Sequence, residues 1–372
     1  MKKITILALH LNYGGVEKYI SSLCKMLEDT YDIELIVTYK CLPAFDFSNK
    51  IKIRYLIDEM PNKEQFKNYL KDKKIFKTLK EGIKSVKILF LKKYLNIKNI
   101  KKINSDFIIT TRTFHNELVG KYAKKGIIKI ATEHNYHNND MLYVKSLKNS
   151  LKNYDYLITV SKELSDYYKN EISNVKVVYI PNTLDSLPDK KSSLKDNNII
   201  SVGRFSKEKG FDDLIDVFKS VNDAVPNSNL YLIGDGDQAE IIRQKVKDYK
   251  LSDKVIMPGF LSQNEIEKYY LKSKLYVMTS HTESFGLVLI EAMAYKIPCI
   301  AFDSASGARE IINASNGVLI ENRDKNKMAI QIVKLLNDSN TLATLSNGTL
   351  KTSKKYLLKS VRKLWIELLE EK

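Results

Sequence analysis

Two glutamates bracket a glycine turn in the run Glu283-Ser284-Phe285-Gly286-Leu287-Val288-Leu289-Ile290-Glu291. A helix read from about Ser284 would turn the amides of Phe285, Gly286 and Leu287 outward, a cradle for phosphate or sugar oxygens. Glu291 falls inside an otherwise apolar helix, one turn beyond Leu287 and on the same side. A carboxylate there needs partners, and the vicinal hydroxyls of a ribose would occupy both of its oxygens. Structural ion pairing of either glutamate is the competing reading, and the weaker one for two carboxylates flanking a glycine helix start. Upstream, Gly203-Arg204-Phe205-Ser206-Lys207-Glu208-Lys209-Gly210 sets Arg204 and Lys209 across a tight turn. A guanidinium fork and an ammonium point charge there suit a diphosphate, although a loop with ordinary surface charge reads the same in isolation.

Three other loops carry candidate groups. Gly234-Asp235-Gly236-Asp237 contains an Asp-x-Asp, a pattern that can chelate Mg²⁺. Before a helix it is better read as an N-cap with a first-turn acid. In His10-Leu11-Asn12-Tyr13-Gly14-Gly15-Val16-Glu17, Gly14 and Gly15 let the backbone approach a ligand at a helix start; a glycine pair alone is weak evidence. In Thr132-Glu133-His134-Asn135, His134 ends a strand and can hydrogen-bond a bound sugar. His137 lies three residues on, but no third ligand stands in range, so metal binding is discounted.

These loops need a frame. Apolar runs of strand length alternate with helical patterns, the signature of parallel sheets covered by helices. Strands are expected at Ile4–Leu9, Ile33–Thr38, Ile51–Ile57, Phe107–Thr110, Ile127–Ala131, Tyr156–Val160 and Val175–Ile180. A polar stretch from Ser186 to Asn198 is the best linker, and the rhythm restarts with strands Ile199–Val202, Leu230–Ile233, Lys254–Met257, Leu275–Thr279 and Cys299–Phe302. The expected class is α/β with two doubly wound domains, residues 1–186 and 187–353. Each candidate loop follows a strand, where open parallel sheets bind ligands.

Of the 372 residues 44% are hydrophobic, enough to bury a core in each domain. No apolar stretch is long enough for a transmembrane helix. Met1-Lys2-Lys3 before Ile4–Leu9 imitates a signal peptide, but the apolar run stops at His10, so it reads as the first strand. Cys24, Cys41 and Cys299 are widely spaced, which excludes a disulfide framework and fits a reducing cytoplasm. The formal charge is +17, and residues 1–190, with 34 Lys+Arg against 21 Asp+Glu, carry +13 of it. Between Lys63 and Lys102 stand 14 lysines and three acids. From Ile83 onward, Ile83, Val86, Phe90, Tyr94, Ile97 and Ile100 recur at helical spacing among lysines. Such a helix can lie on an anionic membrane surface or pack on the sheet as an ordinary surface helix; periodicity does not separate the two. Nucleic acid is set aside because no recognition helix, zinc finger or aromatic-sheet motif accompanies the charge.

From Ser201 to about Leu336 the sequence resembles the nucleotide-sugar domain of family-4 retaining glycosyltransferases. The matching pieces are Val202-Gly203-Arg204 with Lys209, Gly234-Asp235-Gly236, and Glu283 through Glu291. Phe302-Asp303, Gly307-Ala308-Arg309-Glu310 and Gly317-Val318-Leu319-Ile320 continue it. Gly14-Gly15-Val16-Glu17 and Glu133-His134-Asn135 agree with that family's first domain, whereas the loop from Ser304 to Gly307 departs from its usual glycine-rich run. The resemblance implies the GT-B fold, two Rossmann-like domains facing across a cleft, with a C-terminal helix over 354–372 that packs back on the first. It also implies transfer of a sugar from a nucleotide sugar, UDP-linked by preference, to a glycan or polyprenyl-diphosphate-linked acceptor in cell-surface polysaccharide synthesis. No cofactor and no metal is implied; the donor is a substrate and UDP a product. In that view Arg204, Lys209, Glu283 and His134 are catalytic. Gly14, Gly15, Gly203, Gly234, Ser284, Phe285, Gly286, Leu287 and Glu291 hold the donor. The expected location is cytoplasmic, peripheral at the inner face of the cell membrane. The alternatives are a GT-B-like epimerase or phosphorylase, or a basic nucleic-acid-binding protein.

Overall fold

The computed structural model describes residues 1–138 and 140–371, with Lys63 described through its backbone alone. Lys372, the last residue of the expected C-terminal helix, lies outside the described residues. The chain divides into two compact units, Met1–Val160 with Ser165–Tyr179, and Ser161–Leu164 with Ile180 onward.

In the first unit the order is β1 (Lys3–Ala8), α1 (Gly15–Leu27), β2 (Asp32–Tyr39), β3 (Lys52–Ile57), α2 (Lys63–Lys71), α3 (Ile75–Ile100), β4 (Phe107–Thr110), α4 (Thr113–Tyr122), β5 (Ile128–Glu133), α5 (Met141–Ser150), β6 (Tyr156–Thr159), α6 (Lys162–Glu171, whose first residues group with the second unit) and β7 (Lys176–Tyr179). The seven strands are parallel in the order β3-β2-β1-β4-β5-β6-β7. Ile4 pairs with Ile33 on one side and Phe107 on the other, and all three are buried. Helices on both faces of a parallel sheet demand near-continuous apolar strands, and that is how these segments read.

The second unit runs β8 (Asn198–Val202), α7 (Phe211–Ala224), β9 (Asn229–Ile233), α8 (Ala239–Asp248), β10 (Val255–Gly259), α9 (Gln263–Tyr270), β11 (Leu275–Met278), α10 (Leu287–Ala294), β12 (Cys299–Phe302), α11 (Ser306–Ile311), β13 (Gly317–Ile320), α12 (Lys325–Asn337), α13 (Ser339–Lys355) and α14 (Leu358–Glu370). Its six strands order as β10-β9-β8-β11-β12-β13. The order reverses between β8 and β11, so their carboxyl ends open the crevice where such sheets bind ligands. Strand β13 was not among the strands expected. In this unit Leu184 bonds both ways across the start of α14: its N–H donates to Tyr356 O at 2.8 Å and its carbonyl accepts from Leu358 N–H at 3.0 Å.

Helix α3 is not the simple amphipathic helix expected. The stripe read as its apolar face is largely solvent-exposed, with Ile83 71%, Val86 67% and Phe90 72% accessible. A different stripe packs inward: buried Ile88 joins Tyr39 and Ile57, with Leu91 and Leu95 against them. Asn96, also buried, donates to Thr38 Oγ1 at 3.2 Å, and His115 contacts the same hydroxyl at 3.1 Å. The helix therefore has two apolar faces, only one of which the sheet covers.

Candidate functional site

In the second unit the predicted loops converge at the carboxyl ends of β8, β9 and β11. Backbone packs on backbone there, and glycine is what permits it. A Cβ on Gly234, at φ +139°, would lie 1.9 Å from Gly203 O, and one on Gly236 would lie 2.4 Å from Phe205 O. Phe205 N–H donates to Asp235 O at 2.9 Å, locking the two loops together. Asp235 and Asp237 are not the cap of α8, as expected from sequence. The N-cap position is Gln238, with no side-chain cap bond, and Asp235 Oδ1 accepts from Gly236 N–H at 2.8 Å. The cap lies one residue beyond the motif.

Lys209 Nζ donates to Glu283 Oε2 at 2.5 Å. The two side chains are 25% and 17% exposed, so the pair is partly shielded but open to a ligand. Arg204 lies farther out, 71% exposed, and pairs with Glu208 at 2.7 Å. The loops bearing them are stitched together: His281 N–H donates to Glu208 O at 2.8 Å and Thr279 Oγ1 to Lys209 O at 3.4 Å.

Helix α10 begins at Leu287, not at Ser284 as expected. Gly286 is its N-cap and adopts φ +91°, a left-handed conformation that ends any helical continuation toward Ser284. Ser284 and Phe285 are buried instead, the Phe285 ring meeting Tyr356 edge-on at 5.4 Å. The departing loop before α11 serves this turn. Gly307 N–H donates to Glu283 O at 2.9 Å, Ser306 Oγ to the same oxygen at 3.0 Å, and a Cβ on Gly307 would lie 2.0 Å from Phe285 O. Glu291 is half-buried in α10. Tyr276 stays protonated well above the usual tyrosine range, first through burial and further through the charges of Glu283 and Glu291. Both carboxylates thus act on one buried phenol.

Sequence reasoning missed Arg323. Its guanidinium lies over the Phe302 ring at 4.5 Å. It donates to Asp213 Oδ2 at 2.6 Å and to Thr279 O, Ser280 O and Ser304 Oγ at 3.0 Å each. One side chain therefore ties α7 to the loops after β11 and β12. No motif pointed to it, since its partners are 19 to 110 positions away.

The first unit gathers its own polar cluster at the ends of β1, β4 and β5. Glu17, buried, pairs with Arg112 at 3.1 Å and His10 at 3.5 Å. A Cβ on Gly14 would fall 2.2 Å from the Glu17 carboxylate, whereas nothing lies within 4 Å of one on Gly15. His134 Nε2 meets Thr132 Oγ1 at 2.9 Å, and its ring is edge-on to Tyr19 at 4.3 Å. Burial, helped by Arg112, pushes His134 down to about 3, so it is neutral at pH 7. Glu133 is engaged by Tyr143 O–H and Asn135 N–H, both at 2.7 Å. His137 stacks on Tyr167 at 3.8 Å. Arg112 is the second residue missed from sequence, for want of a motif around it.

The architecture is the GT-B fold. HepE from Anabaena, solved in complex with UDP, superposes with a TM-score of 0.76 over 100% of both chains at 17% identity. Residues 185–352 match the family described as glycosyl transferases group 1. Over the full length, the amylovoran biosynthesis glycosyltransferase AmsD of Erwinia amylovora is 26% identical, covering 96% of each chain. An alpha-1,4-N-acetyl-D-galactosaminyltransferase of Campylobacter jejuni, whose name gives a PP-undecaprenol-linked glycan, is 23% identical over 100% of this chain and 99% of its own. Together these findings support glycosyltransferase activity.

Proposed function

We propose that this protein is a retaining glycosyltransferase that moves a sugar from a nucleotide sugar, most simply a UDP-sugar, to a glycan or lipid-linked acceptor in surface-polysaccharide synthesis. The observation that carries the reading is the Lys209–Glu283 pair at 2.5 Å, at the point where strand order reverses. Departure of a nucleoside diphosphate builds negative charge, which fixed cations stabilise without reorganisation. Lys209 and Arg204 are assigned that task, with no metal required. Glu283 is assigned to a hydroxyl of the donor sugar, as is neutral His134. Glu291 is assigned to the ribose, and Gly14, Gly15, Gly203, Gly234 and the turn Ser284–Leu287 to close backbone approach. No carboxylate is assigned as a nucleophile. The departing phosphate takes the acceptor's proton on the face it leaves, which preserves the anomeric configuration. The protein is placed at the inner face of the membrane, with the donor taken from the cytoplasm. Among the described residues no helix is long and apolar enough to cross a membrane.

The test is thermal shift and hydrolysis against UDP-, GDP- and ADP-sugars, followed by NMR assignment of the product anomer. Stabilisation by one UDP-sugar and a retained anomer support the reading. An inverted product, epimerisation without acceptor, or phosphate-dependent release of a sugar phosphate would overturn it.

A further inference from the structure

Among the described residues the outer face of α3 is left uncovered. Phe76, Leu79, Ile83, Val86 and Phe90 follow one another at spacings of three and four, a single stripe along the helix. They are 89%, 59%, 71%, 67% and 72% exposed, and Leu70, Ile75, Leu89 and Tyr94 extend the patch. A contiguous apolar surface of this kind marks an interaction site. The opposite face of the same helix already contacts the sheet through Ile88, Leu91 and Leu95, so the stripe is not held in reserve for this unit's own core.

We infer that this stripe inserts into the headgroup region of an anionic bilayer, with the surrounding lysines drawn to its lipid phosphates. Charge chooses the occupant. Lys80, Lys87 and Lys93 flank the stripe, Lys77 lies over the Tyr69 ring of α2, and Glu81 is the one acid within α3. Lys84 is engaged by Glu59. A second copy laid on the stripe would bring these lysines together with little acid to offset them. An anionic leaflet meets them with opposite charge. At the α2–α3 turn, Lys73, Lys74, Ile75, Phe76 and Lys77 line an open hollow of about 430 Å³, with Lys74 paired to Asp72 at 2.7 Å. This geometry differs from adhesion by lysines alone, because the apolar stripe contributes a component that salt does not screen. The inference deepens the membrane placement proposed above but does not depend on sugar transfer.

The experiment is co-sedimentation with vesicles of phosphatidylcholine alone and of phosphatidylcholine mixed with phosphatidylglycerol, across a salt series. The wild-type chain should pellet with the mixed vesicles only. Replacing Phe76, Ile83 and Phe90 together by serine should weaken binding about tenfold or more at every salt concentration. Replacing Lys77, Lys80, Lys87 and Lys93 by glutamine should weaken it about a hundredfold at low salt and flatten the salt dependence. Unchanged melting and unchanged response to UDP would show that each variant is folded and that the donor reading stands or falls separately. No pelleting with either vesicle, equal pelleting with both, or full binding by the serine variant would overturn the inference. So would a lipid-free dimer in sedimentation velocity that the serine variant abolishes.

Discussion

The guanidinium of Arg323 donates to the carboxylate of Asp213 at 2.6 Å, joining residues 110 positions apart. Burial opposes ionisation of Asp213, but hydrogen bonds from Arg323 and Lys325 outweigh it, and the carboxyl is held below its ordinary value. Because the same guanidinium also holds Thr279 O and Ser280 O, it sets the start of the loop that carries Glu283. Arg323→Lys keeps the charge but loses the fork. We expect it to cost about 1–3 kcal/mol of stability, read as a lower melting temperature, and to weaken the response to UDP. An unchanged donor response would confine Arg323 to a structural role.

On the donor reading, Lys209→Ala and Arg204→Ala should each lower kcat by on the order of 10²-fold, the scale for removing one charge-stabilising donor. Glu291→Ala should instead raise the KM for the donor with a smaller effect on kcat, since a ribose contact is the same in ground and transition states. Normal turnover by all three variants would remove the assigned site.

Activity should survive EDTA, because the charge of the leaving group is assigned to protein cations rather than to a bound ion. Complete loss on chelation, restored by Mg²⁺ or Mn²⁺, would return Asp235 and Asp237 to consideration as ligands.

Gly307→Ala should damage the site more than its size suggests. The added carbon would meet Phe285 O at 2.0 Å, and that oxygen belongs to backbone that cannot swing aside. We expect loss of donor binding and a stability cost of about 1–3 kcal/mol or more. Gly15→Ala, with open space around the new carbon, should be close to neutral for stability, while on the donor reading it crowds the ligand. Comparable effects of the two changes on melting would mean that the Gly307 contact relaxes freely.

Stability should fall as pH drops below about 6.5. His134 and His115 are each held down to about 3, chiefly by burial, with Arg112 acting on both and Lys92 on His115. The unfolded chain takes up these protons near 6.5, whereas the folded one does so only near 3, so the folded state loses ground throughout that window. Asp213 contributes in the same direction only below about 4, the ordinary carboxylate range. Melting temperature against pH checks this, and His134→Gln should reduce the slope between about pH 6.5 and 4. A slope unchanged in that variant would mean that His134 titrates normally.

The strands were legible because a sheet buried on both faces leaves few alternatives: Phe107–Thr110 and Cys299–Phe302 have the same bounds in sequence and structure. The start of α10 was not legible, since an apolar run shows where a helix can continue but not that Gly286 turns left-handed before it. The same holds for α3. Spacing revealed its outer stripe, but Ile88, Leu91 and Leu95 form a second one, and only the neighbouring Tyr39 and Ile57 decide which is buried. Arg323 and Arg112 were invisible for a different reason, as their partners are brought to them by sheet topology rather than by sequence.

The Lys209–Glu283 pair has a consequence for traffic through the site. Paired, the two side chains cancel each other's charge, so neither presents a bare charge to stray anions or cations. On the donor reading a complete donor divides them, its diphosphate taking the ammonium and its sugar satisfying the carboxylate. A nucleoside diphosphate without its sugar can satisfy only Lys209, leaving the Glu283 carboxylate without its ion-pair partner in a half-shielded turn. On this account both the spent nucleotide and the intact donor compete with Glu283 for Lys209, but only the intact donor compensates Glu283 for the loss. On the donor reading, re-forming the Lys209–Glu283 pair favours release of the spent nucleotide over its retention.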